Sequence, residues 1–430
     1  MIKKLFHNPW LVFSPFLFYY AYIIIINKWP SLYGDEIRYV EYAHHIIHGY
    51  YSPPAPHIDL WNGPGYPIVL LPFIALKIRV IYITFLNAVY QYLAVVFLYK
   101  ALSLTASHKI ALVSGLLLAV YPNALSILPI LYTEAFTGFL VSSFVYCVTQ
   151  CYIKKNNRYL LPAGLVLGYL TLTKIIFGYV LAICLVIFLI LLLLKKEKSF
   201  YLRPVYILLI AYAVTVPYLT YTWQMTGKFF YWGNSGGMSL YWMSTPFEHE
   251  YGDWKMPDLS NKQYPTLFKS PEAVALLKTN HSKELKFILS HRNAVVQDEL
   301  FKQAAFKNIE KNPLKFASNY CNNFSRMLFN FPYSYAWQDA AIVKNIIIGS
   351  LILWSTVAGI ILTIVNWRGI IFPVKPLLLI AGVYLLLSGA LSAYPRQLDI
   401  MMPVLLFWLG YLAGNVMKLD LRFSGSTVAG

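Results

Sequence analysis

The chain has 430 residues, 58% of them hydrophobic and only 12% charged, with a mean hydropathy of +0.55. A water-soluble domain of this size needs far more surface charge, so the composition excludes one and calls for lipid as the solvent of much of the surface. The net charge of +17 does not mark a nucleic-acid binder, because much of the excess sits in short clusters between apolar runs, where Lys and Arg hold loops on the cytoplasmic side of a membrane.

Crossing a hydrocarbon core of ~30 Å takes roughly 20 apolar residues. Candidate spans lie near 10–27, 80–101, 108–123, 128–152, 160–176, 178–194, 204–222, 342–365, 374–393 and 398–417. The first, after Met-Ile-Lys-Lys, has no small-residue cleavage site and reads as an uncleaved span with its lysines inside. Placing Lys3 and Lys4 inside puts the even-numbered turns inside as well. Those turns carry Lys100 and Lys109; Lys154, Lys155 and Arg158; Lys195, Lys196, Lys198 and Arg203; and Arg368 and Lys375, with Lys418 and Arg422 in the tail. The pattern predicts an all-α polytopic protein of about ten spans with both termini in the cytoplasm. No internal repeat of the kind that builds paired transporter halves is visible.

Three regions follow: a membrane region over 1–222 with a long first outer loop at 28–79, an outer segment over 223–340, and a last membrane region with a cytoplasmic tail over 341–430. The first loop holds a helical stretch, Ile37 to His48, and a Pro/Gly-rich stretch, Pro53 to Pro72. The outer segment carries 13 Lys/Arg and 10 Asp/Glu and suits a small domain of mixed structure. Its second half, Pro271 to Phe329, reads as helices, and Phe229 to Trp254 as loop or short strand. Cys147, Cys151 and Cys184 lie in apolar runs as small buried side chains, and Cys321 stands alone in the polar segment, so no disulfide framework is present there.

Of the 18 acids, 10 lie in the outer segment. Glu197 and Asp420 sit among inside lysines. The other six, Asp35, Glu36, Glu41, Asp59, Glu134 and Asp399, all map to the outer side of the membrane or just within it, where charge is costly and tends to be paired or functional. Asp35 follows Gly34 and suits a helix N-cap; equally, it suits a carboxylate base at the membrane surface, with Arg38 one turn along the same face. Glu134 at the outer end of the fourth span can snorkel to the interface. Lys174 and Arg396 are out of place for the positive-inside pattern, so each needs an anion: Glu134, Asp399, a lipid head group, or the phosphate of a lipid substrate. His44 and His48 share a helix face, but no glutamate base stands at metalloprotease spacing, and they read as interfacial polar residues. Gly236-Gly237, flanked by Tyr231, Trp232, Tyr241 and Trp242, fits either an aromatic platform for a sugar or acyl chain or a Gly turn with interface aromatics.

The chain resembles the GT-C membrane glycosyltransferases, in particular the bacterial relatives of protein O-mannosyltransferases and of lipid A aminoarabinose transferase. The resemblance rests on motifs in order through most of the chain: Asp35-Glu36-Ile37-Arg38-Tyr39 with Glu41-Tyr42-Ala43 and Gly49; Gly63-Pro64-Gly65-Tyr66-Pro67; Tyr132-Thr133-Glu134; Gly164, Gly168 and Leu172-Thr173-Lys174; Gly236 to Tyr241; and Tyr394-Pro395-Arg396 before Met402-Pro403. Trp61-Asn62 stands where the aminoarabinose transferases carry a Glu-Lys pair.

The resemblance implies a GT-C-like bundle in a bacterial cytoplasmic (inner) membrane, serving cell-envelope biogenesis. It implies transfer of a sugar from a polyprenyl-phosphate donor to a glycan, lipid or protein acceptor on the outer face. It carries the role of base to Asp35, with Glu36 beside it, and the holding of the lipid phosphate to Lys174, Arg396 and Arg38. Glu134, Tyr66 and Tyr394 complete the candidate binding residues. One displacement at the anomeric carbon predicts inversion. No cofactor is required; a divalent cation (Mg or Mn) on Asp35, Glu36 and Glu134 is an open alternative. Two other function classes use the same charges: a polymerase or ligase of surface glycans, and a transporter or flippase of a lipid-linked sugar.

Overall fold

A computed structural model describes residues 8–28, 31–32, 34–194, 198–257, 271–336 and 342–419. Lys3, Lys4, Lys195, Lys196, Glu197, Asp420 and Arg422, which entered the reading above, lie outside the described residues. Among those described, seven helices are long and apolar enough to cross a membrane. In the numbering used here they are α1 (Pro9–Ile26), α4 (Val80–Leu102), α7 (Glu134–Ile153), α9 (Phe177–Leu194), α10 (Lys198–Thr226), α15 (Ile342–Val365) and α17 (Pro395–Tyr411, extended by a π turn to Val416). The remaining three expected spans form shorter helices: α5 (His108–Ala119), of 12 residues; α8 (Leu160–Thr173), of 14; and α16 (Val374–Gly389), of 16. α6 (Pro122–Ile127) follows α5. At 1.5 Å per residue, none of these three shorter helices reaches ~30 Å by itself.

α7 is the central helix, with 72% of its apolar window buried, against 17% for α15. Its buried Thr137, Ser142, Ser143, Cys147, Thr149 and Cys151 are small, and small side chains let helices approach where no hydrophobic effect drives them together. α15 shows why the bulk composition is apolar: Val343, Ile347, Leu351, Trp354, Ile361 and Ile364 all face outward. One set of basic residues gathers at the end of the bundle away from the polar segment. There Lys100 lies 5.4 Å from the Trp10 ring and 5.0 Å from the Tyr146 ring, Arg203 lies 5.1 Å from Tyr152, and Lys375 lies 4.7 Å from Trp367.

The opposite end, the domain end, carries two short helices from the first loop, α2 (Asp35–Ile47) and α3 (Gly65–Ala75), and four from the polar segment: α11 (Gly236–Met243), α12 (Pro271–Leu289), α13 (Ala294–Lys311) and α14 (Pro313–Phe329). These differ from the sequence reading in two places. The end of the Pro/Gly-rich stretch folds into a helix, Gly65–Ala75. No strand forms among the described residues, so the segment expected to be mixed is helical. Asp298 explains the second difference, because its carboxylate accepts from the Gly237 amide at 2.7 Å and caps α11 from 61 residues away. A second small core forms here from Met238, Tyr241, Trp242, Leu277, Leu285, Ile288 and Phe301. Tyr231, Trp232, Tyr241 and Trp242 are all buried, so they form no open aromatic platform. The four cysteines are free, with Cys321 alone exposed.

Candidate active site

α2 starts at Gly34, whose φ of 60° places it in the left-handed region that suits glycine. Gly34 is the N-cap and makes no side-chain cap, so Asp35 is the first helical residue and not the expected cap. Its carboxylate turns instead to two arginines. Arg38, one turn on, donates to Oδ1 at 2.9 Å, and Arg396 at the start of α17 donates to Oδ2 at 3.2 Å. Arg396 therefore pairs with Asp35 rather than with Asp399. Asp399, further along α17, accepts from the Tyr121 hydroxyl at 2.7 Å and from Asn123 at 3.4 Å.

Glu36 points the other way. It is buried, and its Oε1 accepts from the Leu131 amide at 2.7 Å, tying α2 to the segment that precedes α7. Neighbours on a helix are rotated by about 100°, so the Asp-Glu pair divides into one carboxylate at the opening and one in the frame. Grouped with Asp35 on sequence, Glu36 has an anchoring contact here.

Glu134, the first residue of α7, and Lys174, just past α8, meet at 3.0 Å. The Gly63-Pro64-Gly65 turn sets this end of α8. A Cβ on Gly63 would lie 2.0 Å from the Leu172 carbonyl, and one on Gly65 would lie 2.5 Å from Thr173 Oγ1. Only glycines allow that approach, and the Tyr169 hydroxyl fastens it by donating to the Gly65 carbonyl at 2.9 Å. Tyr66 sits under α2, its ring 5.2 Å from and nearly perpendicular to that of Tyr39. The Tyr66 hydroxyl and Glu134 Oε2 are buried without a partner. Burial, with the charges of Asp35 and Glu134, pushes the Tyr39 phenol well above its ordinary value, so it stays a donor.

The three ion pairs form one patch. Glu134 and Asp35 are the carboxylates whose charge reaches Arg396, and the Arg396 guanidinium lies 5.7 Å from the Tyr132 ring and 5.9 Å from the Tyr394 ring. Arg38 lies 5.0 Å from the Trp61 ring and 3.5 Å from Asn62 Oδ1. Tyr394 faces away, its hydroxyl donating to the Trp254 carbonyl at 3.1 Å. The structure thus brings Asp35, Arg38, Arg396, Glu134, Lys174 and Tyr66 together, and turns Glu36 and Tyr394 to structural partners. Tyr39, Tyr132, Trp61 and Asn62 were missed as site neighbours. All four stand beside or within the quoted motifs, the one signal that could have found them.

The donor set does not fit a divalent cation as arranged. Asp35 is held by two guanidiniums, Glu36 by a backbone amide and Glu134 by an ammonium. Among the described residues no three His, Cys, Asp or Glu side chains gather in a metal-binding group. His48 and His45 engage the His44 and Tyr51 carbonyls, at 2.8 and 3.2 Å.

No family model and no curated protein matches the sequence. Solved structures do match. The apo crystal structure of the Archaeoglobus fulgidus oligosaccharyltransferase aligns with 94% of this chain and 51% of that one, at 13% identity and a TM-score of 0.50. The same enzyme tethered to an acceptor peptide containing the NVT sequon gives 94%, 50%, 13% and 0.50. The chain shares its fold with the part of the archaeal oligosaccharyltransferase that aligns with it. ArnT from Cupriavidus metallidurans bound to undecaprenyl phosphate aligns over 93% of this chain and 77% of that one, at 13% identity and a TM-score of 0.42. The chain spans about half the length of the archaeal oligosaccharyltransferase. Within this fold, the first loop, the domain-side ends of α7 and α8 and the start of α17 converge on one charged patch.

Proposed function

We propose that the protein is a membrane glycosyltransferase that moves a sugar from a polyprenyl-phosphate donor to a glycan, lipid or protein acceptor. The domain end faces the outside of a bacterial cytoplasmic membrane, with both termini inside. Lys100, Arg203 and Lys375, in short loops or helix ends at the opposite end, support that orientation. The observation that carries the reading is Asp35, half-buried at the rim of the bundle between guanidiniums from two elements 358 positions apart (396 − 38).

In this reading the acceptor hydroxyl attacks the anomeric carbon and gives its proton to Asp35. The bond from that carbon to the phosphate oxygen breaks, and its electron pair leaves with polyprenyl phosphate. Arg396 and Lys174 exchange their carboxylate partners for the phosphate and stabilise its charge. Arg38 keeps Asp35 oriented, and Glu134 holds Lys174 until the donor arrives. The reading needs no divalent cation, because cationic side chains already stand where charge develops. A single displacement inverts the anomeric centre, and product NMR showing retention overturns that step.

The test is transfer from a set of radiolabelled polyprenyl-phosphate sugars by purified wild-type protein and Asp35→Asn. The expected result is release of polyprenyl phosphate by wild type and a fall of roughly 10²–10⁴-fold in the variant with its melting temperature kept. Full activity in Asp35→Asn, or no turnover of any donor by wild type, overturns the proposal.

A further inference from the structure

The turn that delivers Arg396 has no regular structure of its own, yet it is tightly held. It runs from Gly389, the end of α16, to Pro395, the start of α17. Carbonyls at a helix end have no partners within the helix and need donors from elsewhere. Two fully buried side chains of α14 supply them. Asn323 donates to the Gly389 carbonyl at 2.9 Å and the Leu391 carbonyl at 2.5 Å, while its Oδ1 accepts from the Ala393 amide at 3.4 Å. Arg326 donates through Nε to the Ala393 carbonyl at 2.9 Å, three residues before Arg396.

The rest of the Arg326 fork reaches into the polar segment. Nη2 donates to the Tyr251 carbonyl at 3.1 Å, and Nη1 donates to the Pro332 carbonyl. Burial pushes the Asp253 carboxyl up, but the charges of Lys255 and then Arg326 outweigh it and hold the carboxyl below its ordinary value. A second strut runs alongside, from the Tyr394 hydroxyl to the Trp254 carbonyl. Packing alone does not require this. An apolar side chain would fill the space at less cost than a desolvated guanidinium, which is retained only where several acceptors share one planar donor.

We propose that Arg326, with Asn323, is a positioning residue that sets the place of Arg396 against Asp35 and so couples the polar segment to the site. The role of that site in catalysis rests on the transferase reading above; the positioning itself does not. α17 caps its own first turn, with the Tyr394 amide donating to Gln397 Oε1 at 2.8 Å. Losing the clamp therefore shifts the helix start as a unit rather than unwinding it.

The test separates the two ideas. Cysteines replace Asp35 and Arg396, Cys321 is replaced by Ser, and a short bis-maleimide reads the proximity of the two positions in detergent. Adding Arg326→Met should lower the cross-link yield severalfold. Arg326→Lys, which keeps the charge near Asp253 but loses the fork, should give an intermediate yield and remains the reporter if Arg326→Met fails to fold. In the otherwise wild-type enzyme, Arg326→Lys should lower kcat about 10- to 100-fold with a smaller change in the KM for donor. Yields unchanged in a folded Arg326 variant overturn the positioning role, whatever the activity. A lowered yield in a protein that turns over no donor upholds the positioning role and overturns the transferase reading.

Discussion

Two groups of carboxylates sit at the domain end, and they are built differently. In the polar segment three acids, Glu250, Asp253 and Asp298, are buried and saturated. Glu250 accepts from His281 and Thr245 on one oxygen and from Asn280 and Tyr335 on the other, at 3.0 and 2.9 Å for the last two. Asp298 takes the Gly237 amide, the Tyr231 hydroxyl and Lys302. Asp253 takes Lys255 and both the amide and the hydroxyl of Ser334. At the rim of the bundle, Asp35 is 21% exposed and held only by arginines, and Glu134 leaves one oxygen unmatched. A saturated buried network fixes one structure. A patch with spare capacity, open on one side, can exchange its partners for a ligand.

The largest expected effect tests that division through stability. Asp253→Asn removes the anion from between Lys255 and Arg326 and leaves buried positive charge uncompensated. It should cost about 3–5 kcal/mol. Asp35→Asn removes a rim contact and should cost about 0–1 kcal/mol while lowering transfer roughly 10²–10⁴-fold. Thermal melts of the two variants in detergent check this; equal destabilisation would erase the distinction between frame and site.

Acid sharpens the same comparison. Burial pushes the Glu250 carboxyl up, but the hydrogen bond and charge of His281, with Thr245 and Asn280, outweigh it and hold it below its ordinary value. A carboxylate lowered in the folded state contributes stability that is present above the unfolded value of ~4.3 and lost as pH falls through the lower folded value. Hydrogen exchange between neutral pH and pH ~3 should therefore show α12 and the 245–255 loop losing protection while α4 and α7 keep theirs. Uniform loss across both regions would mean that Glu250 is not what ties the segment together.

Much of the fold was legible because span length is a property of local composition: the long apolar runs at 80–101 and 342–365 became α4 and α15. The short helices were harder. α5 has 12 residues and α3 has 11, with Pro67 and Pro72 inside it, and tertiary packing rather than composition decides whether such runs cross a bilayer. The clustering of acids at one side pointed to Asp35, Glu134, Lys174 and Arg396. What local windows do not hold is direction and distance. Nothing adjacent to Glu36 shows that it faces Leu131 while Asp35 faces Arg396, and no stretch of sequence contains both Asp298 and the α11 amide that it caps. The aromatics over 229–254 raise strand propensity, and that long-range cap overrides it.

The smallest effect comes from two ion pairs of nearly equal length. Lys228 and Glu299 meet at 2.8 Å with side chains 39% and 47% exposed, whereas Lys174 and Glu134 meet at 3.0 Å with side chains 21% and 5% exposed. Water already solvates the first pair, so Lys228→Ala should change stability by no more than about 1 kcal/mol and leave transfer intact. Lys174→Ala strands Glu134 in an environment that gives it no other donor on Oε2, and should cost about 1–3 kcal/mol as well as donor affinity. Because the pairs share charge type and distance, the contrast isolates burial. If Lys174→Ala proves as mild as Lys228→Ala, water reaches Glu134, and the floor of the patch is open to solvent as well as to donor.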